Sequence, residues 1–104
     1  MNYTTSRVSY EVTADVVETL RDGFEKFMTE RHVPEVMATG CFAEAHFETL
    51  ASGKYRTRYE AISRATLDDY FERHAARLRA HVSETFPVGI AFEREEWETL
   101  ASFG

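Results

Sequence analysis

The chain is poor in several things that mark out special classes of protein. Its one cysteine in 104 residues, Cys41, excludes an internal disulfide framework and fits a reducing compartment. No apolar run approaches the roughly 20 residues that span a bilayer. The N-terminal "MNYTTSR" lacks the charged-then-apolar layout of a signal peptide. A cytoplasmic protein with no membrane partner is therefore expected. Positive charge is also scarce: 12 Lys and Arg stand against 18 Asp and Glu, a formal net charge of −6. That balance opposes nucleic acid and anionic lipid, and Asp68, Asp69 and Glu72 interrupt the one basic stretch, "SRATLDDYFERHAARLRAH". Phosphate-loop, nucleophile-elbow and dinucleotide motifs are missing, as are internal repeats and low-complexity segments.

What is present is regular patterning at 43% hydrophobic content, enough for one self-sufficient domain over 1–104. Its ends, 1–6 and 98–104, read as tails. Val8, Tyr10, Val12, Ala14 and Val16 alternate with polar residues, as in a strand with one buried face. Asp15 and Glu18 are spaced as an N-cap and its partner. The period then changes, and Leu20, Phe24, Phe27 and Met28 form a helical stripe. Gly23 inside that helix predicts a close contact, since glycine there costs roughly 1 kcal/mol against alanine. Pro34 should end or kink the helix at Val33, with "PEVMATG" as one further turn closed by Gly40.

Two alternating strands follow. In "CFAEAHFETL", Cys41, Ala43, Ala45 and Phe47 oppose Phe42, Glu44, His46 and Glu48. In "KYRTRYEAI", Tyr55, Thr57, Tyr59 and Ala61 oppose Arg56, Arg58 and Glu60. A turn at "ASG" makes them a hairpin, with Glu48 across from Arg56 and His46 across from Arg58. Ser63 or Thr66 caps a second helix whose stripe is Leu67, Tyr70, Phe71, His74, Leu78 and Val82. Val88 to Phe92 form a last strand, and "EREEWETLASFG" an acidic tail. The order strand, helix, strand, strand, helix, strand predicts an α+β, ferredoxin-like βαββαβ fold: an antiparallel four-stranded sheet with two helices on one face.

The polar sets then fall on the sheet's other face: Glu11, Thr13, Glu44, His46, Glu48, Arg56, Arg58 and Glu60. Cross-strand pairing of opposite charges there contributes roughly 0.2–1 kcal/mol per pair, so this is either a solvated, charge-paired face or a face that a partner covers. His32 continues the first helix's stripe and is expected near its last carbonyls, where a positive imidazole is favoured. Cys41 reads as a small buried residue. His74 interrupts an apolar stripe, either as a hydrogen-bonded core residue or, with Tyr59 and Tyr55, as the lining of a pocket able to move a proton. No metal is expected, because His74 and His81 are two turns apart. No cofactor motif is present, though a lone axial histidine for haem would leave no local signature.

The stretches "YEVTADV", "HVPEVMATGCF", "YRTRYEAISRATLDDYFERHAARLRAH" and the closing "TFP" with its strand resemble a bacterial family, domain of unknown function 4286, over about Ser9 to Leu100. The family has no established activity, and so lends no catalytic residues. The resemblance implies membership of the dimeric α+β barrel proteins, in which two sheets pack face to face. A superfamily analogy extends to monooxygenases, isomerases and haem-dependent enzymes. On this reading the chain is a homodimer that binds a small anionic or aromatic molecule in a barrel or helix–sheet cavity, as a cofactor-free enzyme or a sensor. Arg56 and Arg58 would meet the anion; His46, His74, Tyr59 and Glu11 would supply polar contacts. The alternative is a non-catalytic interaction module whose barrel is filled by its own side chains, with Trp97 and Phe103 anchoring the partner subunit.

Overall fold

The computed structural model describes residues 7–104; the expected N-terminal tail, 1–6, lies outside them. β1 (Val8–Val16) follows its alternating pattern, with Val8, Tyr10, Ala14 and Val16 buried. It runs straight through Asp15, which pairs with Lys54 and Ala91 instead of capping a helix. The residue before the first helical turn is Val17, and no side chain caps it.

A 3₁₀ turn, Glu18–Leu20, leads into α1 (Arg21–Phe27), where Phe24 and Phe27 are buried. At Gly23 an added methyl would meet only the Phe86 ring, at 3.9 Å, so the close contact expected there is absent. Pro34 does not end the helix. A π-helical turn, Met28–His32, absorbs the irregularity. Pro34 then sits in the first turn of α2 (Val33–Met37), where a missing N–H costs little. Gly40, at φ +78°, closes the segment in the left-handed region. His32 therefore lies inside a continuous helical run rather than at its end.

β2 (Phe42–Leu50) and β3 (Lys54–Ala61) form the expected hairpin, with Glu48 opposite Arg56 and His46 opposite Arg58. The pattern fails at one end. A bulge between Phe42 and Glu44 turns Phe42 to the helix side, opposite Ala61, instead of leaving it beside Glu44 and His46. Phe42 packs edge-on against Tyr70, with ring centroids 4.9 Å apart. Cys41 is buried next to it.

α3 (Arg64–Arg73) opens on a reciprocal cap. The Ser63 hydroxyl accepts from the Thr66 N–H at 3.1 Å, and the Ser63 N–H donates to the Thr66 hydroxyl at 3.0 Å. The helix then breaks at His74, φ −127°, before α4 (Ala75–Thr85). The break moves the buried stripe from Leu67 and Tyr70 to Ala75, Leu78 and Val82. His74, expected on that stripe, is left half-buried beside it.

β4 (Ile90–Glu98) begins after Val88, which is 78% exposed, and takes in the first half of the segment read as an acidic tail. It pairs antiparallel with the whole of β1, from Val16 opposite Ile90 to Val8 opposite Glu98. The sheet order is β2-β3-β1-β4 with antiparallel neighbours, a ferredoxin-like α+β fold. Two groups of core side chains fill the space between sheet and helices: one around Tyr10, Tyr59, Leu67 and Leu78, the other around Phe24, Phe27, Tyr55 and Val82.

Candidate functional site

Strand alternation divides the candidate residues between two sides of the sheet. Glu11, His46, Arg56 and Arg58 share the face away from the helices. Glu11 and His46 both lie opposite Arg58, and Thr13 and Glu48 both lie opposite Arg56. Tyr59 points the other way, into the core, and His74 lies beyond it on the helix layer.

The outer face is largely paired within itself. Arg56 donates from Nε and Nη2 to one Glu48 oxygen, at 3.1 and 2.7 Å. Arg58 lies 3.5 Å from Glu60, whose carboxylate also accepts from Ser9 at 2.9 Å. His46 reaches Glu44 at 2.9 Å, along its own strand, and holds that carboxyl below its usual range. Glu11, Glu93 and Glu95 make no ion pair among the described residues. The same face carries Trp97, opposite Ser9 and 56% exposed. Beside Glu11 and Arg56 there is an open depression of about 230 Å³.

The helix side holds a different arrangement, which the sequence reading missed. The helix layer covers β4 only at its start, where Phe92 meets Phe24, and beyond it a cleft of about 430 Å³ opens between β4 and the α3–α4 layer. Tyr10, Phe71, Arg79 and Arg94 line it. Arg79 donates to the Tyr10 hydroxyl at 2.9 Å, and the Arg94 guanidinium sits 5.4 Å over the Phe92 ring. Among the described residues neither arginine is paired with a carboxylate. Glu96, at the cleft's far end, is taken by Arg64 at 2.8 Å. Behind Tyr10, Arg79 and Arg94 a space of about 30 Å³ continues inward to His32, Tyr59 and Tyr70.

Burial sets the protonation of this inner wall. It pushes the Tyr59 and Tyr70 hydroxyls far above the ordinary tyrosine range, so both stay protonated as hydrogen-bond donors. His32, 9% exposed and stacked on Phe27, has its pKa lowered to about 4 by desolvation, against the opposing pull of Glu35. It is a neutral imidazole at pH 7, not the charged helix-end residue expected.

The group His74, Tyr59 and Tyr55 is not assembled. Tyr55 belongs to the second core group and donates to Glu25 at 2.5 Å; burial, then that carboxylate, raises its pKa to about 12. His74 packs against Tyr70 and accepts at Nδ1 from Arg77 at 3.0 Å. Arg79 and Arg94 were hard to read because each sits in a charged run, and nothing in the spacing shows that β4 continues past Phe92. With that strand recognised, alternation from Phe92 places Arg94 on the helix side.

Comparison with known proteins supports this architecture. A crystal structure described as a dimeric ferredoxin-like protein from an uncultured marine organism matches with a TM-score of 0.58, covering 94% of this chain and 99% of that one. Sequence identity is 15%, so the likeness is one of fold. Among curated proteins the chain finds no match. Residues 7–100 match the model of a domain of unknown function, DUF4286, and the chain belongs to that family.

Proposed function

We propose that the protein is a cytoplasmic homodimer, packed sheet to sheet, whose subunits each bind a small organic anion in the helix–sheet cleft. It would act as a cofactor-free enzyme or a sensor. The observation that carries this reading is the pair Arg79, bonded to the Tyr10 hydroxyl, and Arg94, lining the same cleft, two guanidinium groups without carboxylate partners among the described residues. A guanidinium recognises carboxylate or phosphate through paired N–H donors, and the aromatic walls suit an apolar body behind the anionic group. Arg56 and Arg58, the anion partners expected from the sequence, are engaged by Glu48 and Glu60, so the proposal places the ligand on the other side of the sheet.

Thermal-shift titration with a panel of small carboxylates and phosphates tests the site. Stabilisation of the wild type that is lost in Arg79→Gln and Arg94→Gln but kept in Arg58→Gln supports it. Equal stabilisation of all four proteins removes the cleft from consideration.

The alternative, an interaction module without a ligand, draws support from the internal pairing of the outer face. Dimerisation with no response from the cleft across the panel favours that module.

A further inference from the structure

The space behind the cleft offers more hydrogen bonding than the protein itself uses. It holds about 30 Å³, begins at Tyr10, Arg79 and Arg94, and ends on His32, Tyr59 and Tyr70. Those last three side chains are 9%, 2% and 3% exposed. Among the described residues neither the Tyr59 nor the Tyr70 hydroxyl makes a hydrogen bond, and His32 Nδ1 is buried without a partner. The hydroxyls of Tyr10 and Tyr55, by contrast, are both bonded, to Arg79 and Glu25.

These groups converge. Tyr59 lies within electrostatic range of Tyr70 and Tyr10, Tyr70 within that of Arg79 and Arg94, and His32 within that of Arg94. Native proteins rarely leave buried polar groups empty-handed, so the chamber is built to hold something polar.

Size and charge narrow the occupant. About 30 Å³ has room for one or two water-sized groups, far too little for an aromatic ring. The inner wall is neutral at pH 7, with two protonated phenols and an uncharged imidazole. A second carboxylate would enter at a heavy desolvation cost, whereas a hydroxyl or carbonyl oxygen meets O–H donors and a ring nitrogen. Arg79 and Arg94 line both the outer cleft and the chamber, so an anion held by them stands at the neck. An oxygen that reaches the chamber must then be attached next to the carboxylate. The apolar body stays outside, against Phe71 and Ala75.

We propose that the ligand of the cleft is a 2-hydroxy or 2-oxo carboxylic acid, its carboxylate on Arg79 and Arg94 and its α-oxygen in the chamber of His32, Tyr59 and Tyr70. The inference rests on the anion reading of the cleft and adds a second recognition element to it.

Three probes share one skeleton and differ only at the α carbon: mandelate carries a hydroxyl there, phenylglyoxylate a ketone and phenylacetate neither. Calorimetry on the full chain compares them. Wild type is expected to bind the first two at least about tenfold more tightly than phenylacetate, which leaves the chamber's polar groups unpaired. Tyr59→Phe and Tyr70→Phe each remove one oxygen that has no protein partner, so both variants should melt at or above the wild-type temperature. Each should shrink the preference by about threefold or more and leave phenylacetate binding unchanged. Equal binding of all three acids by wild type overturns the inference, assigns the chamber to ordered water and leaves the anion site standing. A preference undiminished in both tyrosine variants overturns it as well. Binding of none of the three also overturns it, and the wider panel of carboxylates and phosphates then decides whether the anion reading falls too.

Discussion

The two faces of the sheet are built from the same four strands, residue by alternate residue, yet they obey different rules. Toward the helices, β1 and β3 present Val8, Tyr10, Ala14, Tyr55, Thr57 and Tyr59, all nearly inaccessible. Away from them the same strands present Glu11, Thr13, Arg56 and Arg58, and stability there comes from cross-strand pairing in water. The covered face fixes the fold; the open one is left with charge and one large aromatic side chain. A substitution should therefore be costly on the first face, nearly silent in the monomer on the second, and visible on the second only through association.

The largest effect is expected at Phe24, 1% exposed and in contact with four other aromatic rings. Phe24→Ala should cost about 3–5 kcal/mol in urea denaturation; a loss under about 1 kcal/mol would mean that the helix packs loosely on the sheet. Next comes His32. An imidazole whose folded pKa lies below its unfolded value takes up protons more readily when the chain unfolds. Its contribution is thus full above pH 6.5 and falls as pH drops from 6.5 towards 4. A shift of that size corresponds to a loss on the order of 3 kcal/mol. Unfolding measured across this pH range should show this acid limb, shallower in His32→Phe; identical limbs would clear His32.

On the open face the sharpest test is Trp97. If two sheets pack together, Trp97→Ala should weaken the dimer by about 2 kcal/mol, some 30-fold in dissociation constant, with monomer stability unchanged. Sedimentation that is the same for both proteins would exclude Trp97 from the interface. Gly23→Ala should then stabilise by about 0.5–1 kcal/mol, because the added methyl meets only ordinary contact with Phe86. A destabilised variant would reveal a tighter fit of α1. The smallest effect belongs to Glu48→Gln, which breaks an exposed pair with Arg56 and should leave the monomer's urea midpoint where it is. A clear drop would show the open face contributing more to the monomer than its exposure allows.

Where a local period repeats, the structure follows it. β1, β3, the hairpin register with its Glu48–Arg56 and His46–Arg58 partners, the Ser63 cap and the glycine closure at Gly40 all appear as read. The misses share a cause: each depends on something distant in sequence. Phe42 turns inward because a bulge after it lets its ring reach Tyr70. His74 leaves its stripe because the helix breaks there over Ala75. β4 was cut short because an edge strand covered on neither side past Phe92 need not alternate apolar with polar residues. Ending the strand at Phe92 hides Arg94 and, with it, the cleft. Glu11, His46 and Arg58 were correctly gathered on one face, but only the coordinates show that carboxylates already hold the two arginines there.

The sequence by itself determined the order of elements, the two-sided sheet and a net negative charge. These follow from periodicity and composition, which act over a few residues or over the whole chain. Tertiary structure alone decided which charges are spoken for and which are free. It set Arg79 beside Tyr10, 69 positions earlier, and brought His81 of α4 within 3.8 Å of Glu35 in α2. Such meetings depend on how far each helix reaches across the sheet, a packing quantity that no local pattern of residues encodes.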